Sequence, residues 1–455
     1  MTNTSVSNTS SGHADDFRMT PLERNASIWL ALLYGSRMLG MFLILPVFAV
    51  HAAGMPGGSN AALVGLAFGI YGLTQALFQI PFGAASDRFG RKPVITAGLL
   101  LMLAGSLVAA AADTLTGLTV GRAMQGAGAV SAAISALLAD TTRDSQRTKA
   151  MAMVGAMIGL SFAVSLVAAP LLYRVIGLSG IFVLTGLLAV VGIAIVWWLI
   201  PSPPSPLAAG GKAGEDAGAR LGAGRGAGGG ADGGADGGGA AAGAAASTAA
   251  AGFGGRLRRV LDADMMRLNF GIFVLHMTQM TLFVVVPARL VDRVGLPLAE
   301  HWKIYLPVVI ASFAVMMPPL NWAERAGQLR GLFLFAIGGQ FISQAGFAFV
   351  PPELGSMSVL LLIFFLSFNM LEALMPSLLS RLAPVAGRGT AMGIFSTSQA
   401  LGIFAGGALG GLLAQRLGES SVFIASALFI AVWAVVARGA RRWPGRHGVV
   451  PAGGK

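Results

Sequence analysis

Long apolar runs recur along the chain, near residues 26–51, 61–84, 93–112, 115–139, 150–173 and 178–200, and again near 267–290, 302–322, 330–350, 357–380, 389–414 and 420–437. A helix crosses the hydrocarbon of a bilayer with about 20 mostly apolar residues, and the charged segments between such runs have to sit in water. The pattern predicts an all-α membrane protein of twelve transmembrane helices, six in a bundle over 26–200 and six in a bundle over 266–437. The segment between them, 201–265, is almost all Gly and Ala from Pro201 to Gly255 and cannot build a core. As a flexible coil it spans about 40 Å, enough to tether two bundles on one membrane face. An N-terminal tail over 1–25 and a basic tail over 438–455 complete the expected organisation.

Composition agrees with the pattern. Of 455 residues, 55% are hydrophobic and 11% charged, with a mean hydropathy of +0.74. Soluble domains carry about 25% charged residues. The net charge of +12 raises the possibility of a nucleic-acid partner, but the basic residues are dispersed in short loops and the tail rather than gathered on one stripe. Most of the 31 Lys and Arg fall to one side of the predicted spans; Arg174, Arg289, Arg293, Lys303 and Arg416 fall to the other, and Arg37 and Arg122 fall within the membrane. That asymmetry places both termini in the cytoplasm. Residues 1–24 lack the short apolar core and cleavage site of a removable signal. The expected location is a bacterial inner membrane, crossed many times.

Cysteine is absent, which excludes disulfides and thiolate metal sites. The five histidines are scattered, and there is no G-x-x-x-x-G-K-[S/T] loop, His-Glu metal motif or nucleophile elbow. An enzyme is not expected, nor a metal or cofactor; a proton gradient is the expected source of energy.

The second and third runs are joined by Gly83-Ala84-Ala85-Ser86-Asp87-Arg88-Phe89-Gly90-Arg91-Lys92, a charged turn of the form G-x-x-x-D-R-x-G-R-K. Gly83 allows close approach of a neighbouring helix, Gly90 the turn that ends a helix, and Arg91 and Lys92 attract anionic lipid headgroups. The second half echoes this turn as Glu324-Arg325-Ala326-Gly327 after Met317-Pro318-Pro319-Leu320, with Gln328 and Leu329 in place of Arg91 and Lys92. Arg388-Gly389-Thr390-Ala391-Met392 likewise echoes Arg147-Thr148-Lys149-Ala150-Met151. Two repeated halves around a central cleft suit alternating access.

The turn, together with Arg122-Ala123-Met124-Gln125-Gly126-Ala127-Gly128 in the fourth span, resembles the paired motifs of the major facilitator superfamily. Arg37-Met38-Leu39-Gly40-Met41-Phe42, Gly69-Ile70-Tyr71-Gly72-Leu73-Thr74-Gln75 and Phe368-Asn369-Met370-Leu371-Glu372-Ala373 are similar to its YajR-like branch of proton-driven, drug-exporter-like proteins. The resemblance implies that Asp87 meets the start of the eleventh helix, near Arg388 to Thr390, and that Arg91 pairs with Asp140. Gly83, Asp87, Arg88, Gly90, Arg91, Lys92 and Asp140 would then form a latch on the cytoplasmic side; a lipid-anchoring turn is the plainer alternative. The antiporter motif of the fifth helix is degenerate, reading Ala169-Pro170-Leu171-Leu172-Tyr173-Arg174 without closing glycines. A soluble domain often follows the last helix in this branch; the residues after the last predicted span form a short basic tail, so that domain's role is not expected here.

Glu372 is the one acidic residue deep in a predicted span, where a charge costs about 2.5–3.5 kcal/mol on insertion scales. It is expected to bind the coupling proton or a cationic substrate, or else to be a protonated packing residue, with Asn369 one turn earlier on the same face. Arg37 and Arg122 are deep cations in a half without a deep acid, so their expected partners are carbonyls, water, substrate, or Glu372 across the cleft. Arg122 resembles the family arginine assigned to proton coupling, with Gln125 beside it. Arg37 suits either an anionic group or a backbone-holding role. His276 and Gln279, at i and i+3 of the seventh span, either line the cleft or bond a neighbouring helix. The glycines at 402, 406, 407, 410 and 411 are expected to pack helices.

These readings converge on a secondary transporter, expected to export small amphipathic compounds in exchange for protons as a monomer among anionic lipids. Proton-coupled uptake or uniport of a metabolite stays open, as does a non-transporting sensor or scaffold.

Overall fold

The computed structural model describes residues 19–128, 130–200, 262–383, 388–440, 442–445 and 448–451; the first tail and the Gly/Ala-rich linker lie outside the described residues. The described chain is helical apart from a small antiparallel hairpin in the C-terminal tail, Arg442–Gly445 (β1) with Gly448–Pro451 (β2).

The first half begins with α1 (Pro21–Phe42), where Thr20 and Glu23 form a reciprocal capping box and Pro21 occupies the first turn. The first span does not run straight: it breaks before α2 (Leu45–Ala53), because Pro46 has no N–H to continue the ladder. Next comes α3 (Ala61–Phe89), capped by Asn60, whose side chain accepts from Ala62 and Leu63 N–H. Gly90, at φ 92°, ends it and starts α4 (Arg91–Ala110). The fourth span is in two pieces, α5 (Leu115–Ala127) and α6 (Ser131–Asp140). The fifth and sixth spans, labelled together α7 (Asp144–Ala194), are two helices that meet at a kink at Gly177, whose backbone (φ 66°, ψ −176°) is not helical, and the second is closed by a π-turn at Ile195–Leu199.

The second half holds α8 (Ala263–Asp292), α9 (Trp302–Ala326), α10 (Leu329–Phe349), α11 (Leu354–Leu382), α12 (Arg388–Leu417) and α13 (Glu419–Arg438). Among the described residues, ten helical segments are long and apolar enough to cross a membrane. The difference from the twelve expected has two sources. The fifth and sixth crossings adjoin at the Gly177 kink and count as one segment, and the break after Gly128 leaves one crossing in two short pieces.

The halves meet at one end of the bundle and part at the other. Away from the α3–α4 turn, Gly65, Gly69 and Gly72 of α3 lie directly on the backbone of α12 at Ala400, Phe404, Gly407 and Gly411, and a side chain at any of the three would strike that backbone. Ala61 N–H donates across this seam to Gln415 Oε1 at 2.6 Å. Gly402 and Gly406, on another face of α12, receive Phe273 and Met277 of α8. The glycine run therefore serves close helix approach, which in a bilayer rests on packing rather than on expelled water.

At the turn end, by contrast, Gly155 and Gly159 of α7 and Gly393 of α12 have no atom within 4 Å of where a side chain would begin. Gly83 belongs to this end, and the close approach expected of it is not made in this state: an added Cβ would stand 3.6 Å from Ala132, an ordinary contact. A bundle sealed at one end and open at the other is one of the two end states of alternating access.

Candidate functional site

Phe162 of α7 marks the floor of the seal. Its ring lies 5.1 Å from Phe42 in its own half and reaches across to Phe365 (5.8 Å), Phe368 (5.7 Å) and Phe283 (6.5 Å) of the other. Edge and tilted contacts of this kind fill space without polar atoms and exclude water from the junction.

On the open side of these rings sits the chemistry of the second half. Glu372 lies on α11 about 27 Å from one helix end and 15 Å from the other, taking 1.5 Å per residue. Its side chain is 28% exposed, and its Oε2 stands 3.7 Å from Nε2 of His276 on α8. That oxygen is buried and has no hydrogen-bond partner among the described residues. His276 Nδ1 stands 3.2 Å from the Ile272 carbonyl, and its Nε2 stands 2.7 Å from Nε2 of Gln399 on α12. A carbonyl only accepts, so Nδ1 carries the proton, and Nε2 presents its lone pair to the Gln399 amide. The His276 ring also packs edge-on against Phe368, at 5.7 Å. Gln279 is buried one turn along α8. Asn369 does not join Glu372: it donates to Ser312 of α9 at 3.1 Å and ties those two helices together.

The deep arginines form a separate cluster in the first half. Arg37 donates to Ser131 Oγ at 2.7 Å and to the Tyr71 hydroxyl at 3.0 Å. Arg122 lies over the face of the same Tyr71, 4.8 Å from its centroid, and donates to Gln125 Oε1 at 3.0 Å. Gln125 in turn donates to Ser106. Both guanidiniums are buried, and their partners are hydroxyls, an amide and a π-face rather than Glu372. Arg37 Nε, Arg122 Nε and Arg122 Nη2 have no hydrogen-bond partner among the described residues. The arginines and the Glu372–His276 pair thus stand on opposite halves.

The charged turn forms a third group. Arg91 bonds both Asp87, one turn before it, and Asp140 at the end of α6, the latter at 2.8 Å. It also donates to Ser86. Arg88 is exposed beside Phe89. Lys92 does not face outward toward lipid: it is buried, donating at 2.6 Å to the carbonyl of Ile200, where a cation satisfies the end of the sixth span. Of the expected partner segment near Arg388 to Thr390, the Arg388 side chain lies outside the described residues, and Asp87 is bonded by Arg91 of its own half. In the second half Glu324 pairs with Arg381 of α11 at 3.0 Å. Each half thus ties its turn to another helix by an ion pair, but through different turn positions: Arg91 in the first half, and in the second Glu324, the counterpart of Asp87, because Gln328 stands in place of Arg91. Reversing one charge, Asp140→Arg, is expected to cut transport several-fold at equal expression, and Arg91→Asp in the same chain to restore most of it. Equal loss in the single and double variants would remove the pair from the mechanism.

Sequence reading missed Gln399, Tyr71, Ser131 and Phe162 as members of these groups. The run Ser396-Thr397-Ser398-Gln399 inside an apolar span was the available signal for the first.

Two helical halves that seal at one end around buried ionisable side chains define a multi-pass membrane transporter. The chain belongs to the major facilitator superfamily: the Major Facilitator Superfamily profile matches residues 30–384 and 270–451. It is 38% identical over 424 residues to "Inner membrane transport protein YajR" of Escherichia coli (strain K12), covering 93% of this chain and 85% of that protein. A shorter stretch of 91 residues, 20% of this chain and 22% of the relative, is 38% identical to "Multidrug resistance protein MdtH" of Yersinia enterocolitica. Among solved structures, a D-xylose–proton symporter shares the fold with a TM-score of 0.66 at 14% identity, over 94% of this chain and 99% of that one.

Proposed function

We propose that this protein is a proton-coupled exporter of small amphipathic compounds in a bacterial inner membrane, with the α3–α4 turn and both termini on the cytoplasmic side. The observation that carries the reading is Glu372: a carboxyl at mid-depth, reachable from the open end and closed from the other by the Phe162 contacts. A carboxyl in that position exchanges its proton with one compartment at a time, which is the requirement for coupling. The orientation rests on the excess of Lys and Arg at the turn end. The match to a multidrug resistance protein, short as it is, supports export. The proton gradient supplies the free energy, and anionic lipids are the expected neighbours of Arg88 and the basic tail. The protein works as a monomer in this reading.

A second reading, proton-coupled uptake, is favoured by one feature. Ala169-Pro170-Leu171-Leu172-Tyr173-Arg174 lacks the glycines of an antiporter helix, and α7 continues past it to the bend at Gly177. Purified protein in liposomes, given an imposed pH gradient and a panel of amphipathic compounds, separates these outcomes. Compound moving against the proton flow supports export, and compound moving with it supports uptake. Proton flux unaffected by any compound would leave neither.

A further inference from the structure

His276 Nε2 has one lone pair and two candidate donors. Gln399 Nε2–H holds it now, at 2.7 Å, while Glu372 Oε2 waits at 3.7 Å without a hydrogen-bond partner. An ionised carboxylate cannot donate to a lone pair, so Gln399 keeps the site while Glu372 is charged. A protonated Glu372 carries an O–H that can donate to Nε2. The two bonds exclude one another, because the other ring nitrogen is committed to the Ile272 carbonyl.

We infer that Gln399 is the positioning residue that transmits the protonation of Glu372 to α12: the proton on Glu372 takes the His276 lone pair and frees Gln399. Three helices meet at this ring, with Glu372 on α11, His276 on α8 and Gln399 on α12. Proton loading therefore replaces an α8–α12 bond with an α8–α11 bond. The helix that loses this bond, while Gly402 and Gly406 keep it packed on α8, is the one whose Gly407 and Gly411 form the seam with α3, so the exchange bears on the contact that seals the far end. His276 is the titratable group facing Glu372. Of the other helices packed on α11, α9 contributes Ser312, taken by Asn369, α10 contributes Gln340 and Ser343, which donate to the Phe364 and Leu360 carbonyls, and α12 contributes Gln399 itself. Arg381, two to three turns along α11, is engaged by Glu324.

This inference rests on the proton-coupling reading and is tested beside it. Because the chain has no cysteine, a single Gly393→Cys substitution on α12 at the open end gives a labelling site in the full-length protein. In that background the maleimide labelling rate, divided at each pH by that of the same protein unfolded so that thiol ionisation cancels, is expected to differ between acidic and alkaline buffer by about 5- to 150-fold, the range of ordinary coupling energies. Adding Gln399→Leu is expected to abolish that difference. Adding Glu372→Gln, whose amide donates to His276 at every pH, is expected to hold labelling at the acidic level throughout. Should Gln399→Leu fail to fold, Gln399→Asn keeps the amide but falls short by one methylene and is expected to behave the same way. Full pH dependence in both Gln399 variants, with proton-driven flux that requires Glu372, overturns this inference alone. Proton-driven flux that survives Glu372→Gln, or its absence from the wild type, overturns the coupling reading and this inference with it.

Discussion

Proteoliposomes carrying Glu372→Gln are expected to lose concentrative transport while still exchanging substrate downhill. One proton crossing 100 mV carries about 2.3 kcal/mol, enough to sustain a substrate ratio of about 50-fold. Glutamine keeps the shape of the side chain and cannot ionise, so the variant should alternate without carrying a proton and reach a ratio of about one. The geometry makes this loss specific. Glu372 is the acid beside His276, whereas Asn369 is spent on Ser312 and the deep arginines are held within the first half. Asn369→Ala is therefore expected to weaken α9–α11 packing and leave the ratio well above one. An undiminished ratio in Glu372→Gln would sink the assignment of the proton to this residue.

The second large effect concerns the seam between the halves. A Cβ at Gly407 would stand 2.7 Å from the Gly65 carbonyl oxygen and 2.7 Å from the Gly69 Cα, and neither backbone atom can swing aside as a flexible side chain would. Gly407→Leu should hold α3 and α12 apart. Overpacking of this kind costs about 1–3 kcal/mol, which shifts a two-state equilibrium by about 5- to 150-fold. The expected result is a protein that folds but no longer seals its far end. A cysteine introduced by Ser165→Cys, at a buried position of α7 beyond Phe162, should then be labelled by an impermeant maleimide from that side. Transport should fall together with the seal. Gly331→Ala, on α10 with open space around it, is the matched control and should change nothing. Labelling of the Gly407→Leu protein at the wild-type rate would mean that the seam does not close the far end.

The seam and the turn differ in the room their glycines have. Gly83 and Gly65 sit on one helix, yet Gly65 touches backbone and Gly83 has ordinary room. Gly83 and Asp87 lie at the turn end, and Asp87 is bonded there by Arg91 of its own half. The Arg91–Asp140 bond is likewise made within that half.

How much was legible beforehand varies with the range of the interaction. The apolar runs and their charged turns were readable because hydrocarbon imposes its demand locally, on about 20 consecutive residues at a time. Glu372, Arg37 and Arg122 stood out for the same reason, as charges where none is cheap. The breaks at Pro46 and after Gly128 were only partly visible, since a helix interrupted within a bundle keeps its hydropathy. Gln399 was not singled out: an amide in a membrane helix is tolerated for many reasons, and the histidine it holds is 123 residues away in sequence.

From the sequence alone came the membrane class, the two halves, the turn and the family, because each rests on composition or on residues close together in the chain. Tertiary structure decided which end is sealed and which buried charges share a site. It also decided that Lys92 closes a helix end, and that His276 stands between a carboxyl and an amide. One sequence supports both end states of an alternating bundle, so the state and its contacts exist only in the packing of one half on the other.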